Sequence, residues 1–114
     1  MDYMPKLLDF YEDGAERVGF ILQSGEIVEC ENKCDQPEEG FEVSAEDLIR
    51  YCDDAVATWH THPGANSNLS VGDYESFMSW PKLLHHIIGQ DGLSTFMVHD
   101  GAVICVGGST SMAR

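Results

Sequence analysis

Basic residues are scarce in this chain: six lysines and arginines stand against twenty aspartates and glutamates, a formal net charge of -14 over 114 residues. Such a surface repels phosphate backbones and anionic lipid headgroups, so neither nucleic acid nor a membrane is an expected partner. Long apolar runs are missing too. Nothing approaches the roughly 20 residues that cross a bilayer, and the opening "MDYMPKLLDFYEDG" lacks the basic, apolar and small-residue blocks of a secretory signal. A cytoplasmic protein is the expectation. Cysteine is sparse and irregularly spaced. Cys30, Cys34, Cys52 and Cys105 do not resemble a secreted disulfide framework, and Cys30 with Cys34 lacks the second ligand pair of a zinc site, so reduced, mostly buried thiols are expected. There is no internal repeat and no low-complexity segment.

What is present suits a single globular core. The apolar fraction of 43% and charged fraction of 23% are close to globular averages, which disfavours disorder. Residues 1–108 are expected to form one domain and 109–114, "STSMAR", a loose tail. The acidic stretch from Glu26 to Asp54 is expected to be a solvated face.

Met4, Leu7, Leu8 and Tyr11 follow the i, i+3, i+4, i+7 spacing of an amphipathic helix that ends at Asp13-Gly14. "ERVGFILQSGEIVECEN" alternates as two strands about a Ser24-Gly25 turn. "KCDQPEEGFEV" has turn chemistry and predicts a loop over a sheet edge. Ser44 and Asp47 cap a second helix with Ala45, Leu48, Ile49 and Cys52 as its buried stripe. "AVATWHTHP" reads as a strand stopped by Pro63, and "SVGDYESFMSWP" as a third helix with Val71, Tyr74 and Met78 inward. "HHIIGQDGLSTFMVHDGAVICVGG" suggests a short strand and then a hairpin about Asp100-Gly101. The order implies an α/β (α+β) sandwich around a mixed sheet flanked by helices.

The chemistry concentrates in "WHTHPGANSNLSVGDYESF", residues 59–77. Side chains two apart on a strand share a face, so His60 and His62 present two imidazoles to one point. Asp73, at the start of the next helix, can supply a third ligand if the loop between folds back. Two neutral nitrogens and one carboxylate leave a tetrahedral zinc with its fourth position open to water, the pattern of a catalytic site. Zinc lowers the pKa of that water toward about 7, and its proton needs an acceptor. Glu16 begins the alternation Glu16, Val18, Phe20, Leu22 and is expected to lie, partly desolvated, on the apolar sheet face, which suits a general base. The Ser70 hydroxyl, at the helix start, is placed to donate to an oxyanion.

Each residue also has a plainer explanation. The histidines could form an ordinary polar strand face, Ser70 and Asp73 spell a capping box, and Glu12 or Glu26 competes with Glu16. His85 and His86 are adjacent and would point to opposite sheet faces, as surface or core-edge residues. His99 fits turn chemistry, Trp59, Tyr74 and Phe77 fit a core more readily than a groove, and Gly107-Gly108 fits a flexible end.

The window resembles the JAMM motif of the MPN metalloprotease family, in which an upstream Glu precedes His-x-His, seven residues that begin with Pro, and Ser-x-x-Asp. Here these are Glu16, "HTHP" at 60–63, the segment Pro63 to Leu69, and "SVGD" at 70–73. "ERVGFIL" is similar to the family's first strand, "FEVSAEDL" to the segment before its second helix, and "VATWHTHP" to its ligand strand. The compact pattern is most similar to prokaryotic and phage stand-alone members. The resemblance implies an MPN-like (cytidine-deaminase-like) sandwich, zinc held by His60, His62 and Asp73, Glu16 as base and Ser70 as oxyanion donor. It implies hydrolysis of a peptide or isopeptide bond in a protein or peptide substrate, in several branches after the Gly-Gly tail of a ubiquitin-like protein. It also implies partner proteins in a larger assembly, as in phage tails. The insertions by which eukaryotic members grip ubiquitin have no counterpart here. A structural zinc-binding or scaffold MPN module without turnover is the alternative reading.

Overall fold

Alternation of apolar side chains builds one sheet on which the rest of the molecule is arranged. A computed structural model describes residues 3–108. The elements are α1 (Met4–Leu7), β1 (Val18–Leu22), β2 (Ile27–Cys30), α2 (Ala45–Tyr51), β3 (Ala55–Thr61), α3 (Val71–Met78), β4 (Leu84–Gly89), β5 (Gly92–His99) and β6 (Ala102–Gly108). The six strands lie in the order β2-β1-β3-β4-β5-β6, every neighbouring pair antiparallel except β3 with β4. The parallel pair needs a crossover, and α3 with its loop supplies it.

The two sheet faces are covered separately. Ile21, Ala57, Trp59, Ile88 and Leu93 pack with Tyr3 and Leu7 of the N-terminal segment, while Ile87 and Phe96 pack with Phe77 of α3. Adjacent Ile87 and Ile88 therefore serve opposite faces, as period-two geometry requires. Fully burying side chains of this size contributes roughly 1.5–3 kcal/mol each relative to exposure. Gly19 is needed where it stands: a Cβ there would lie 1.9 Å from the Val28 carbonyl oxygen. Among the described residues no helix is long and apolar enough to cross a membrane.

Several expectations are corrected. The first helix ends early, passing at Leu8–Phe10 into a 3-10 turn. Ile49 and Val71 are 77% and 79% exposed, and Tyr74 faces solvent as well. The inner stripe of α3 is Asp73 and Phe77, one turn apart. Helices of seven or eight residues make about two turns, so a stripe one position out of phase fits their sequence as well. Gly107 and Gly108 form the end of β6, opposite Thr95 and Ser94, rather than a loose end; residues 109–114, the expected tail, lie outside the described part. The four cysteines are free, but only Cys30 is buried and Cys105 is exposed. Burial, with the charges of Asp47 and Glu29, pushes the Cys30 thiol up to about 11, which keeps it protonated.

His85 and His86 are not at the surface. Both are buried, on opposite faces. His85 stacks on Phe77 with ring centroids 4.2 Å apart and bonds Thr58 Oγ1 and the Trp80 carbonyl; His86 bonds Tyr3 Oη and Thr95 Oγ1. Burial lowers each from 6.5 to about 4, with the charges of His60 and His85 adding to the respective shifts. Between pH 4 and 6.5 the unfolded chain therefore binds more protons at these sites, so the stability they contribute is complete above 6.5 and is lost as pH falls toward 4. His60, also lowered by burial, acts in the same direction. Glu16, raised to about 7, opposes, since its neutral form favours the folded state at low pH. His62, raised by its hydrogen bonds to Asp73 and the Asn66 carbonyl, opposes as well and offsets His60 in direction. With about 1.4 kcal/mol per pH unit per site, His85 and His86 outweigh Glu16, and urea unfolding of the metal-free protein should show a net loss of about 1 kcal/mol between pH 7.5 and 5. Unchanged or greater stability at pH 5 would contradict neutral buried imidazoles.

Candidate metal centre

Strand register brings the upstream glutamate to the histidines. Val18 on β1 pairs with His60 on β3, so continuing the antiparallel register places Glu16 across from His62, on the same face. The crossing is fixed by Arg17 N–H donating to Thr61 Oγ1 at 2.9 Å and Thr61 N–H donating to the Arg17 carbonyl at 2.9 Å. The competing carboxylates are elsewhere: Glu12 pairs with Arg17 at 3.3 Å on the surface, and Glu26 lies at the hairpin turn.

His62 follows β3 and is held in line by its N–H on the Ile88 carbonyl, 2.8 Å. The chain then folds back through a loop tied to the β4–β5 turn. Ser67 N–H donates to Asp91 Oδ1 at 2.8 Å, Ser67 and Ser94 hydroxyls lie 2.6 Å apart, and Gln90 N–H donates to the Ala65 carbonyl at 2.7 Å. A Cβ on Gly89 would fall 2.4 Å from the Asn66 carbonyl carbon, so the close seating of this loop depends on that glycine.

The loop delivers α3 with Ser70 as N-cap. Ser70 Oγ accepts from Asp73 N–H at 3.1 Å, and Asp73 Oδ2 accepts from Ser70 N–H at 2.9 Å. The capping box is therefore real, and it coexists with contacts to both histidines. The same carboxylate places Oδ1 3.0 Å from His60 Nε2 and Oδ2 3.1 Å from His62 Nε2, and the two Nε2 atoms are 3.1 Å apart. Tetrahedral ligands at about 2.0–2.1 Å from a metal are separated by about 3.3 Å, so these approaches, shared between the two carboxylate oxygens, are close to the spacing such an ion needs. Glu16, His60 and His62 form a wider ring, with one donor atom each within 4.8 Å. Asp73 thus takes the tighter position and Glu16 stands beside it.

In the absence of an ion the three groups hold one another in different protonation states. Burial pushes Asp73 up, but hydrogen bonds from His60 and His62, the charge of His60 and the Ser70 N–H outweigh it, holding the carboxyl far below its usual range. Burial lowers His60. His62 is also pushed down by burial, but its bonds to Asp73 and the Asn66 carbonyl prevail and raise it. The Asn66 carbonyl, 3.0 Å from His62 Nδ1, fixes that ring and directs Nε2 inward, the orienting contact that metal-ligating histidines commonly show. Nothing in the sequence announces it, because a backbone carbonyl does this work.

Glu16 is buried by the loop between β2 and α2. Asn32 organises that loop: its side-chain amide donates to the Glu16 and Gly40 carbonyls, and its Oδ1 accepts from Cys34 and Glu42 N–H. Glu16 N–H donates to the Pro37 carbonyl at 2.7 Å. Burial then raises the Glu16 carboxyl from 4.5 to about 7, with His62 opposing and Asp73 adding. Glu16, His62, Ser70 and Asp73 share an open cleft of about 430 Å³, rimmed by Glu38 and Glu39. Phe41, from the same loop, sets its ring 4.6 Å from that of His60.

Four of the five residues singled out in the sequence, Glu16, His62, Ser70 and Asp73, therefore line one cleft, and the fifth, His60, is buried behind it with its Nε2 on Asp73 Oδ1 at 3.0 Å. Comparison with protein-family models and with curated proteins returned no match.

Proposed function

We propose that this chain is a zinc-dependent hydrolase of peptide or isopeptide bonds, with an MPN-like fold and a JAMM-type site. The observation that carries the reading is the set of 3.0–3.1 Å approaches among His60, His62 and the two Asp73 carboxylate oxygens, beside the buried Glu16 carboxylate, with Glu16, His62 and Asp73 lining one cleft. The donor set supports zinc in particular: two imidazoles and one carboxylate match its catalytic ligand preference. When bound, zinc supplies a Lewis acid and a water acidic near neutral pH.

The chain's own groups supply the rest. Glu16, poised near 7, accepts the proton of the attacking water and returns it to the leaving amine, which a base matched to the working pH does efficiently. Ser70 Oγ already accepts from Asp73 N–H, so its own hydrogen is free to donate to the oxygen that gains charge. The site's exposure to a cleft favours turnover over a purely structural zinc, which four protein ligands normally close. A cytoplasmic location and partner proteins in a larger assembly remain part of this proposal.

Incubation of zinc-loaded protein with a mixed peptide library, read by mass spectrometry, is the test. Cleavage should disappear with a chelator and return with added zinc. Cleavage indifferent to chelation, or none from protein shown to contain zinc, would sink the hydrolase reading.

A further inference from the structure

Behind Phe41 lies a second cavity, of about 190 Å³, and its lining differs in kind from that of the metal cleft. Val18, Phe20, Val43, Leu48, Phe77 and Trp80 give it an apolar wall, with Glu42 as its one carboxylate. Of its two buried histidines, His60 bonds Asp73, and His85 is satisfied by Thr58 Oγ1 at 2.7 Å and the Trp80 carbonyl at 3.0 Å. A cavity of this character is suited to an apolar group; one of about 150 Å³ already holds benzene. The two spaces adjoin: Phe41 and Ser76 line both, and His60 lines the second while bonding Asp73 in the first.

We infer, resting on the peptidase reading, that the substrate residue flanking the hydrolysed bond carries a bulky apolar side chain, aromatic or branched aliphatic, seated in the pocket behind Phe41. A Gly-Gly segment would leave that space unfilled. An anionic side chain would exchange its hydration for a largely apolar wall whose one carboxylate, Glu42, repels it, at considerable cost. Selection would thus come from one pocket next to the metal, and the acidic rim at Glu38 and Glu39 would lie on the other side of the cleft's entrance residues.

The test needs no turnover. N-acetylated amino-acid hydroxamates chelate metal through one end and project a single side chain, so calorimetric titration of zinc-loaded protein isolates the pocket. The phenylalanine and leucine hydroxamates should bind about tenfold or more tightly than the glycine one, the scale expected for burying such a side chain, and the glutamate one should gain nothing. Filling the pocket by Leu48→Phe, or separately by Val43→Phe at another lining residue, should remove the preference, bringing phenylalanine hydroxamate affinity down to that of the glycine compound measured on the same variant. Equal wild-type affinity for the glycine and phenylalanine compounds would overturn the pocket assignment while leaving the metal site standing. Absence of any hydroxamate binding would overturn the metal centre, and the pocket assignment with it.

Discussion

Glu16→Gln should retain zinc and lose hydrolysis by roughly 10²- to 10⁴-fold, the usual contribution of a positioned general base. Glutamine preserves the shape that fits beneath the Asn32-organised loop but cannot accept a proton. The distances make the substitution informative about role as well as rate. If Glu16 were a ligand, as the 4.8 Å ring with His60 and His62 permits, the variant would lose metal along with activity. If Asp73 is the third ligand, as its 3.0 and 3.1 Å contacts argue, metal content measured by plasma mass spectrometry should match wild type. The pH profile adds a second signature. Burial raises the Glu16 carboxyl to about 7 in the metal-free protein, and a nearby cation lowers it. The acid limb of kcat/KM should therefore lie at or below pH 7, with activity falling as pH falls and the base becomes protonated. Wild-type turnover in the Gln variant would identify a different base.

Asp73→Ala should weaken zinc binding by more than about a hundredfold, since removing even the supporting partners of metal ligands costs about 10- to 100-fold. Two structural effects accompany it. The reciprocal half of the α3 cap disappears, and His60, buried, loses its carboxylate partner. Asp73→Asn separates these from ligation: an amide oxygen can still accept from Ser70 N–H, yet it carries no charge to hold a cation. Calorimetric zinc titration should show weak binding in both variants, with thermal stability better preserved in Asn. Wild-type zinc affinity in Asp73→Asn would remove Asp73 from the ligand set.

How much of this was legible in the sequence depended on the range of the interaction. The two imidazoles on one strand face follow from period two alone, and Asp73 from its place at a helix start with Ser70. The sheet's hairpins at Ser24-Gly25 and Asp100-Gly101 were equally legible, since positive φ at Gly25, Asp100 and Gly101 is what such turns require. Glu16 could be named from alternation, but not its depth of burial, which comes from a loop of 14 residues, 31–44, folded over it through Asn32. The inner stripe of α3 was misassigned because an aspartate occupies an inward position that pattern reasoning reserves for apolar residues. It is stable there only because two histidines and a backbone N–H meet it. His85 and His86 mislead for the same reason: each is buried because tertiary partners satisfy both ring nitrogens, and no local pattern records those partners.

Anomalous diffraction at the zinc edge, on crystals of protein purified without added metal, tests the central claim most directly. The account predicts one dominant peak about 2.0–2.1 Å from His60 Nε2, His62 Nε2 and an Asp73 carboxylate oxygen, with Glu16 beside it and outside bonding distance. A zinc-loaded protein whose peak lies away from these three groups, or no peak after zinc is supplied, would contradict it.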